Sequence, residues 1–505
     1  MAFSHLVGAY ARRPLRRLLG PVTQRRHART LRRGRPTAAE RGRARAAWWG
    51  GEPRWYPGGT PPTAHNRATP LVDGAAFFAA LHADLLRAEA YVYIAGWCLT
   101  PAMPLRRETR ALLAETQLRR VFADVARHVP VRVLLWSGAA AFYQSTTRLV
   151  RAARAALLDG GGDLRCALDP RAHPTHTHHQ KAIVIDGQIA YVGGMDLTSF
   201  QGDRWDTPAH PLRVGPTWHD VQLRLEGQAV ADVEHNFRQR WRAVTGEAAL
   251  PHRDPAYDPA WRTPVQIVRT IPARTYPFAP RGEFGIQHAY LAALRGARRL
   301  IYLENQYLWS PHVMEVLLAA LREPPTPAFR IVLVLPAQAS DGKFDNDRHV
   351  AQLRAADAGR GLVAAYCPYA GGVGPGRRAF TYRPTYVHAK VALIDDAWCL
   401  VGSANLNDRG LVTDTELDAV VCDAPLARGL RAALWAEHLG MSPQDVAAAE
   451  STALIDGAWR SLAAANAAII GRGDEPLDGA ICRYESGRMP GSWLLEEAQV
   501  LTFEH

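Results

Sequence analysis

The sequence predicts an α/β fold of two similar domains, each a mixed sheet flanked by helices, with the active site at their interface. First, helical patterns alternate with short apolar strand patterns from about residue 69 onwards, which is typical of helices packed on a buried sheet. Second, the same order of elements returns about 200 residues later, a period far too long for a solenoid. Third, the 505 residues have a globular composition and enough length for two domains.

In the first half, apolar residues at helical spacing predict helices, and short apolar runs predict strands. A helix over 74–90 precedes the strand YVYIAGW, a helix at about 114–128 precedes VRVLLW, and a helix at about 143–158 precedes LRCAL. The strand pair KAIVID and IAYVGG, the strand HDVQLRLEG and the helix QAVADVEHNFRQRW complete this half.

The second half repeats this order. The helix IQHAYLAALRGARR is followed by the strand LIYLENQY, the helix HVMEVLLAALRE and the strand FRIVLVLP. After another helix come the strands LVAAY, YVHAKVALIDD, AWCLVGSAN and ELDAVVCD, and then the helix PLARGLRAALWAEHLG.

These patterns predict four segments. Residues 1–68 are a basic arm and a Pro/Gly-rich linker, since residues 1–46 contain thirteen arginines and a single acid, Glu40. Residues 69–255 and 256–445 are the two repeated domains, and residues 446–505 are an extension of unknown role. The alternative for the arm is a solvated tail without a specific function.

Charge and composition limit the function classes. The net charge of +12 and the pI near 9.6 favour an anionic partner, which charge alone does not identify. Six scattered cysteines without a CxxC pair indicate reduced, mostly buried thiols. The sequence has no run of 18 apolar residues and no clear signal peptide. We therefore expect a cytoplasmic protein, of bacterial origin, that associates peripherally with a membrane.

A chemically unusual motif occurs in both halves. It reads HQKAIVIDGQIAYVGGMD from His179 and HAKVALIDDAWCLVGSAN from His388, 209 residues later. Among 60 basic residues only three are lysines, Lys181, Lys343 and Lys390, and two of these occupy the same motif position. This indicates a need for ammonium groups, which are compact point charges, rather than guanidinium groups.

Strand geometry assigns different roles within the motif. Residues two apart on a strand share a face, so each histidine and its lysine can contact one ligand. Asp186 and Asp395 lie seven residues beyond their histidines, about 23 Å along an ideal strand. We therefore expect both aspartates to be structural.

The histidine-rich stretch THTHHQK is also compatible with a metal site. However, His178 and His179 point to opposite faces of a strand, and only the His-x-Lys pattern is repeated. We expect no metal and no organic cofactor. Two histidines and two lysines suit metal-free phosphodiester chemistry, in which lysines neutralise phosphate oxygens, one histidine attacks phosphorus and the other protonates the leaving group.

These residues resemble the phospholipase D superfamily, with both HKD motifs in one chain. The blocks FQGDRWDTPAHPL, PTWHDVQLRLEG, IYLENQYLW and GSANLNDRG extend the resemblance to about residues 70–445. It implies that His179 is the nucleophile, that His388 is the acid and that Asn405 contacts the phosphoryl group, with Ser403 and Gly194 as adjacent supports. Gly193, Gly402 and Asp196 are motif positions, and Gly194 and Asp196 depart from the usual Ser and Asn.

Each histidine also needs a carboxylate that fixes its tautomer. Alignment of the strands that follow the two motifs places WHDVQLRL on DTELDAVV. This predicts Asp220 as the partner of His179 and Glu416 as the partner of His388.

The resemblance implies a phospholipase D that releases phosphatidic acid and a headgroup alcohol at a phospholipid membrane. One alternative is a phosphatidyltransferase of cardiolipin-synthase type that uses an alcohol acceptor instead of water. A second alternative is a nuclease, although we expect no nucleic-acid partner. A third is a lipid-binding pseudoenzyme without catalytic activity. No segment resembles a C2, PX or PH domain, so calcium dependence does not carry over. We expect a monomer, because both motifs are in one chain.

Overall fold

The computed structural model describes residues 55–138, 146–172, 176–213, 215–338, 343–373 and 380–486. Within them the chain forms mixed sheets with helices packed on them, which confirms the predicted fold class. The basic arm of residues 1–46 lies outside the described residues.

The first sheet is formed by seven strands in the order β1-β8-β6-β5-β2-β3-β4 within the described part of the chain. The strands are β1 (Asn66–Val72), β2 (Val92–Gly96), β3 (Val131–Trp136), β4 (Leu164–Asp169), β5 (Ala182–Ile185), β6 (Ile189–Gly193) and β8 (Val221–Gly227). β3 pairs in parallel with both β2 and β4. The pairs β2–β5, β5–β6, β6–β8 and β8–β1 are antiparallel.

The second sheet repeats this core. Its described strands have the order β10-β9-β18-β17-β16-β11-β12-β13-β14, with β19 also paired to β13. They are β9 (Val265–Ile271), β10 (Glu283–Phe284), β11 (Leu300–Asn305), β12 (Arg330–Val334), β13 (Val363–Val373), β14 (Phe380–Pro384), β16 (Lys390–Ile394), β17 (Trp398–Gly402), β18 (Glu416–Val421) and β19 (Ile481–Arg483).

The helices pack against the two sheets. They are α1 (Asp73–Leu85), α2 (Arg110–Glu115), α3 (Leu118–Ala126), α4 (Thr147–Leu158), α5 (Ala229–Thr245), α6 (Gly285–Gly296), α7 (Pro311–Arg322), α8 (Lys343–Asp357), α9 (Ala424–Leu439), α10 (Pro443–Ala448), α11 (Ser451–Leu454) and α12 (Arg460–Arg472). π-helical turns lie at Arg409–Thr413 and Ile455–Trp459. In α7, Ser310 caps the first turn through Val313 N and Pro311 occupies the first position.

Three predicted elements are divided in the structure. The single strand predicted for YVHAKVALIDD is two strands, β15 (Tyr386–Val387) and β16, separated by His388 and Ala389. The single helix predicted at about 114–128 is two helices, α2 and α3, separated at Gln117. The single strand HDVQLRLEG is interrupted at Asp220, because β7 (Trp218–His219) leaves the sheet and pairs with β15 (Tyr386–Val387) of the other domain.

The two domains share one core. Val192 and Leu223 of the first sheet pack in the same buried cluster as Val401 and Leu417 of the second. The parallel β7–β15 pair and a bridge between His178 and Thr415 connect the backbones of the two domains. The motif hairpins β5–β6 and β16–β17 therefore meet at the domain interface.

The segments outside the repeat are partly integrated into the sheets. Residues 66–68 of the predicted linker belong to β1, and the backbone of Thr63 pairs with Val265. In the predicted C-terminal extension, β19 pairs with β13 and α12 packs beside it. The six cysteines are free and five are buried, as expected. No helix among the described residues has the length and apolarity needed to cross a bilayer.

Candidate active site

The two motif histidines lie just before strands β5 and β16; Lys181 immediately precedes β5, and Lys390 is the first residue of β16. His179 precedes β5, and His388 lies between β15 and β16. The backbone N–H of His179 donates to Thr415 O at 2.9 Å, and that of His388 donates to His219 O at 2.8 Å. Each histidine is thus fixed by backbone of the opposite domain.

The carboxylate partners also come from the opposite domain. His179 Nδ1 lies 3.0 and 3.1 Å from the two carboxylate oxygens of Glu416, and His388 Nδ1 lies 2.6 Å from Asp220 Oδ2. The predicted partners are therefore the correct acids, but the predicted pairing was wrong. The physical reason is that β7 and the chain before β18 cross the interface to pair with the other motif, and each carries its acid there.

Burial keeps both histidines neutral. It lowers the pKa of His179 well below the ordinary value, and Lys181, Lys390 and His388 lower it further. Burial and the nearby Lys390 do the same to His388. With Nδ1–H directed to Glu416, the His179 ring leaves its Nε2 lone pair available for attack. At His388, a proton held by Asp220 at the Nδ1 contact leaves the ring with a proton on Nε2 that it can donate.

The acids are held in place by backbone and hydroxyl groups. Glu416 Oε2 accepts a hydrogen bond from Ser403 Oγ at 2.6 Å, and Asp220 Oδ1 accepts from Val221 N at 2.8 Å. Burial raises the pKa of Glu416 well above its ordinary value and also raises that of Asp220. Both acids are therefore poised to share a proton with their histidine.

The lysines lie under the histidines. Lys181 Nζ donates to His179 O at 2.7 Å, and Lys390 Nζ donates to His388 O. Burial lowers the pKa of Lys390 to about 7, partly offset by Asp220 and reinforced by Lys181. The structure thus brings together all four of the residues to which the sequence assigned the central chemistry.

Gly194 and Ser403 occupy equivalent positions with different contacts. A Cβ on Gly194 would lie 2.0 Å from Asp220 Oδ1, so a side chain does not fit beside this carboxylate. Ser403, in contrast, bonds Glu416. The departure from the usual serine therefore has a steric cause, and Gly194 provides backbone, not a side chain, near the site.

The two motif aspartates lie at hairpin turns, away from the histidines. Asp186 accepts hydrogen bonds from the backbone N–H groups of Glu89, Ala90 and Tyr91 at 2.7–2.9 Å. Asp395 accepts from Arg298, Arg299 and Leu300 at 2.7–2.8 Å. Their φ values are 57° and 54°, a left-handed conformation that Asp tolerates better than most residues. Each aspartate ties its hairpin to the start of the central strand.

Four further residues line the site. The Trp97 ring lies 6.3 Å from His179, and the Trp218 ring lies 4.6 Å from His388. Gln306 Oε1 lies 3.4 Å from Lys390 Nζ, and Asp418 Oδ1 accepts from the backbone N of Ser403 at 2.8 Å. Sequence reasoning missed these roles, although Trp97 and Gln306 are 209 residues apart and were detectable as equivalent strand ends.

A buried polar network lies beside Asp220. It spans both domains and consists of three histidines and four acids: Asp73, Asp206, His210, His219, Glu304, Glu437 and His438. Sequence analysis did not predict a histidine–carboxylate cluster, but the nitrogen and oxygen atoms of three groups within it lie within 4.8 Å of one another.

In this geometry both ring nitrogens of His210 and of His219 lie 2.7–3.1 Å from carboxylate oxygens. These distances are those of ion pairs between protonated rings and carboxylates. Within the described residues, however, His210 Nε2, His219 Nε2 and both carboxylate oxygens of Glu437 make no hydrogen bond.

Two family models match the chain, one in each half. The model described as Phospholipase D matches residues 84–217, and the model described as Cardiolipin synthase, PLD-like domain matches residues 290–437. Each match includes one copy of the His-x-Lys motif, so the two models coincide with the internal repeat.

Curated relatives share low identity over most of the chain. Phospholipase D A of Dictyostelium discoideum is 26% identical over 471 residues, which cover 74% of this chain and 35% of that protein. Phospholipase D alpha 4 of Arabidopsis thaliana is 25% identical over 523 residues, covering 77% of this chain and 68% of that protein. The chain thus spans about a third of the first relative and just over two thirds of the second.

One solved structure covers most of both chains. Phosphatidylserine synthase of Haemophilus influenzae is 12% identical with a TM-score of 0.50, over 75% of this chain and 87% of that one. At this identity the likeness is one of fold.

Proposed function

Because the chain belongs to the phospholipase D superfamily, we propose that it is a phosphodiesterase that hydrolyses the distal phosphodiester bond of glycerophospholipids. The products are phosphatidic acid and a headgroup alcohol. The observation that supports this most is the pair of histidines, one partly and one fully buried, each with a lysine from its own domain and an acid from the other.

In the first step, the Nε2 lone pair of His179 attacks phosphorus while the bond to the headgroup oxygen breaks. His388 donates its Nε2 proton to that oxygen and takes up at Nδ1 the proton that it shares with Asp220, while Glu416 stabilises the positive charge on the His179 ring. In the second step, His388 removes a proton from water, which attacks phosphorus and breaks the bond to His179. Lys181, Lys390 and Asn405 contact the phosphoryl oxygens.

This assignment needs no cofactor, because the ammonium groups neutralise the phosphate. We expect turnover to persist after exhaustive chelation with EDTA. Complete loss that a single divalent ion restores would contradict the metal-free mechanism.

Transfer to an alcohol is the second candidate. The second half of the chain matches a family model described for cardiolipin synthase, and the phosphohistidine intermediate accepts either water or an alcohol. The alcohol takes the place of water in the second step, so the same histidines, lysines and acids serve both reactions.

Product analysis separates the two reactions. The protein is incubated with mixed phospholipid vesicles, with and without glycerol or ethanol, and lipids are identified by mass spectrometry. Phosphatidic acid as the main product in the presence of alcohol supports hydrolysis, whereas a phosphatidyl alcohol as the main product supports transfer. A double-stranded and a single-stranded DNA substrate serve as controls, and cleavage of these alone would refute a lipid substrate.

We also infer that the protein acts as a monomer at the membrane surface. Both histidines come from one chain, and their acids are exchanged between its own domains. Sedimentation velocity across a concentration series, with specific activity measured at the same concentrations, tests this. A site that functions only in a dimer would lose specific activity on dilution.

A further inference from the structure

The two halves of the active site differ by one charge. Asp196 and Asn405 occupy equivalent positions, 209 residues apart, each three residues after the glycine that ends β6 or β17. The first half therefore carries a carboxylate where the second carries a neutral amide.

Asp196 is paired with its own lysine. Its side chain is 4% exposed, and Oδ2 lies 2.8 Å from Lys181 Nζ. Oδ1 accepts a hydrogen bond from the backbone N of Trp97 at 2.8 Å. The positive charge of Lys181 is therefore balanced within the first half, even before a phosphate enters.

Lys390, in the second half, has no such direct ion pair. Lys390 Nζ bonds His388 O and Gln306 Oε1, and no described residue places a carboxylate oxygen within 4.0 Å of it. Asn405 is 8% exposed, and its Oδ1 has no hydrogen-bond partner within the described part of the chain. In the second half, the position equivalent to Asp196 therefore carries an unpartnered amide, and Lys390 lacks the direct ion pair that Lys181 has.

The substrate and the product of the proposed reaction differ in charge. A phosphodiester carries one negative charge, whereas the phosphomonoester released from it carries a second ionisable oxygen. In a buried site, each additional positive charge favours a dianion over a monoanion. Two unopposed ammonium groups would therefore retain the product.

We propose that Asp196 sets the charge of the site to that of a monoanionic diester and so promotes release of the phosphomonoester. It is a specificity-determining residue that acts through Lys181 and does not touch phosphorus. The proposal rests on the proposed function for the identity of the product, but its charge argument can be measured without turnover.

The test compares two tetrahedral anions, sulfate and methyl sulfate, which differ by one charge and do not titrate near neutrality. Their affinities for the full-length protein are measured by calorimetry. Asp196→Asn should raise the affinity for sulfate relative to methyl sulfate about tenfold or more, as expected for one charge removed from a buried contact. Asn405→Asp should change this ratio in the opposite direction, and the double variant should return it towards the original.

Turnover gives a second readout. In Asp196→Asn, the inhibition constant of a short-chain phosphatidic acid should fall about tenfold, with a smaller change in KM for the matching diester. A residue that only holds Lys181 in place would change stability or kcat without altering the anion ratio.

An unchanged ratio in folded Asp196→Asn and Asn405→Asp would overturn the proposal, and Asn405→Asp decides alone if Asp196→Asn does not fold. A shifted ratio in a protein that hydrolyses no phospholipid would reject the proposed function and keep the charge assignment. An unchanged ratio in an active phospholipase would reject the charge assignment alone.

Discussion

At the scale of single residues, the crossed acids assign each carboxylate to one chemical step. Glu416 contacts the proposed nucleophile His179, and Asp220 contacts the proposed acid His388. Sequence analysis identified both histidines from the motifs and both acids from the strands that follow them, because these are local patterns. It did not identify the pairing, because that depends on how the domains dock.

The crossed pairing predicts that Glu416→Gln behaves as His179→Ala and that Asp220→Asn behaves as His388→Ala. With a p-nitrophenyl leaving group, which needs no protonation, the Asp220 and His388 variants should still give a burst of nitrophenol and a phosphorylated His179. The Glu416 and His179 variants should lose about 10²-fold or more in burst rate. Rapid-quench kinetics and mass spectrometry measure both. Loss of the burst in Asp220→Asn but not in Glu416→Gln would contradict the crossed assignment.

Lys390 should control the alkaline limb of activity. Its pKa is lowered to about 7 by burial, so the free enzyme loses this positive charge as pH rises above about 7. We expect kcat/KM to fall there, while kcat falls at higher pH, because bound phosphate favours the ammonium form. Lys390→Arg should remove this limb, because a guanidinium stays charged, and lower the maximal rate about 10²-fold or more, since a planar guanidinium does not replace the compact ammonium group. A limb of unchanged midpoint in Lys390→Arg would assign it to another group.

At the scale of elements, the strands and helices were largely predictable, since periodicity is local. The exceptions have tertiary causes. The strand containing Asp220 is interrupted because β7 finds a partner in the other domain. Asp186 and Asp395 were predicted only to be structural. Their role in the hairpin turns could not be predicted, because each accepts hydrogen bonds from three backbone N–H groups about 95 residues away in the sequence.

The turn aspartates predict a loss of stability without a loss of chemistry. Asp186→Asn and Asp395→Asn keep a residue that tolerates the left-handed conformation, but replace one of the two acceptor oxygens with an NH2 donor, so that at least one of the three N–H groups loses its acceptor. Each should lower the free energy of unfolding by about 1–3 kcal/mol, measured by urea titration. Activity of the folded protein should stay within about twofold of the original, since neither aspartate reaches the histidines. Inactive protein of unchanged stability would place these aspartates in the chemistry.

At the scale of the whole molecule, the buried network couples domain docking to pH. Burial lowers the pKa of His210, but Glu437 and Asp206 outweigh this effect and raise the pKa to about 10. The pKa of His219 is raised well above its ordinary value, since Glu437, Glu304 and Asp73 outweigh burial. These histidines therefore stabilise the folded protein fully below the unfolded value near 6.5, and lose that contribution as pH rises towards about 10.

The predicted consequence is a free energy of unfolding that decreases between pH about 7 and 10. In His210→Gln the slope should be shallower, and the protein should be less stable by about 3–5 kcal/mol at neutral pH, because buried carboxylates lose their partner. Denaturant titrations at several pH values measure both quantities. A slope identical to that of the original protein would show that His210 does not titrate in this range.

The basic arm predicts a separate membrane function. Each basic residue near an anionic surface contributes about 1 kcal/mol within a Debye length, and residues 1–46 contain thirteen arginines. Their removal should weaken binding to anionic vesicles, as should high salt, but leave turnover of a short-chain soluble substrate unchanged. Co-sedimentation across a salt series is the measurement. Equal pelleting of full-length and truncated protein at low salt would exclude the arm as a tether.

The exchange of acids between the domains restricts how such proteins can be recombined. A chimera that takes its first half from one relative and its second half from another inherits each histidine and lysine together, but each histidine receives its acid from a different parent. Such a hybrid is active only if halves from two different parents still place His388 against Asp220 at 2.6 Å and His179 against Glu416 at 3.0 Å. Substitutions at these contacts in one half of the chain must therefore be compatible with the other half, as they must be between the subunits of an obligate dimer.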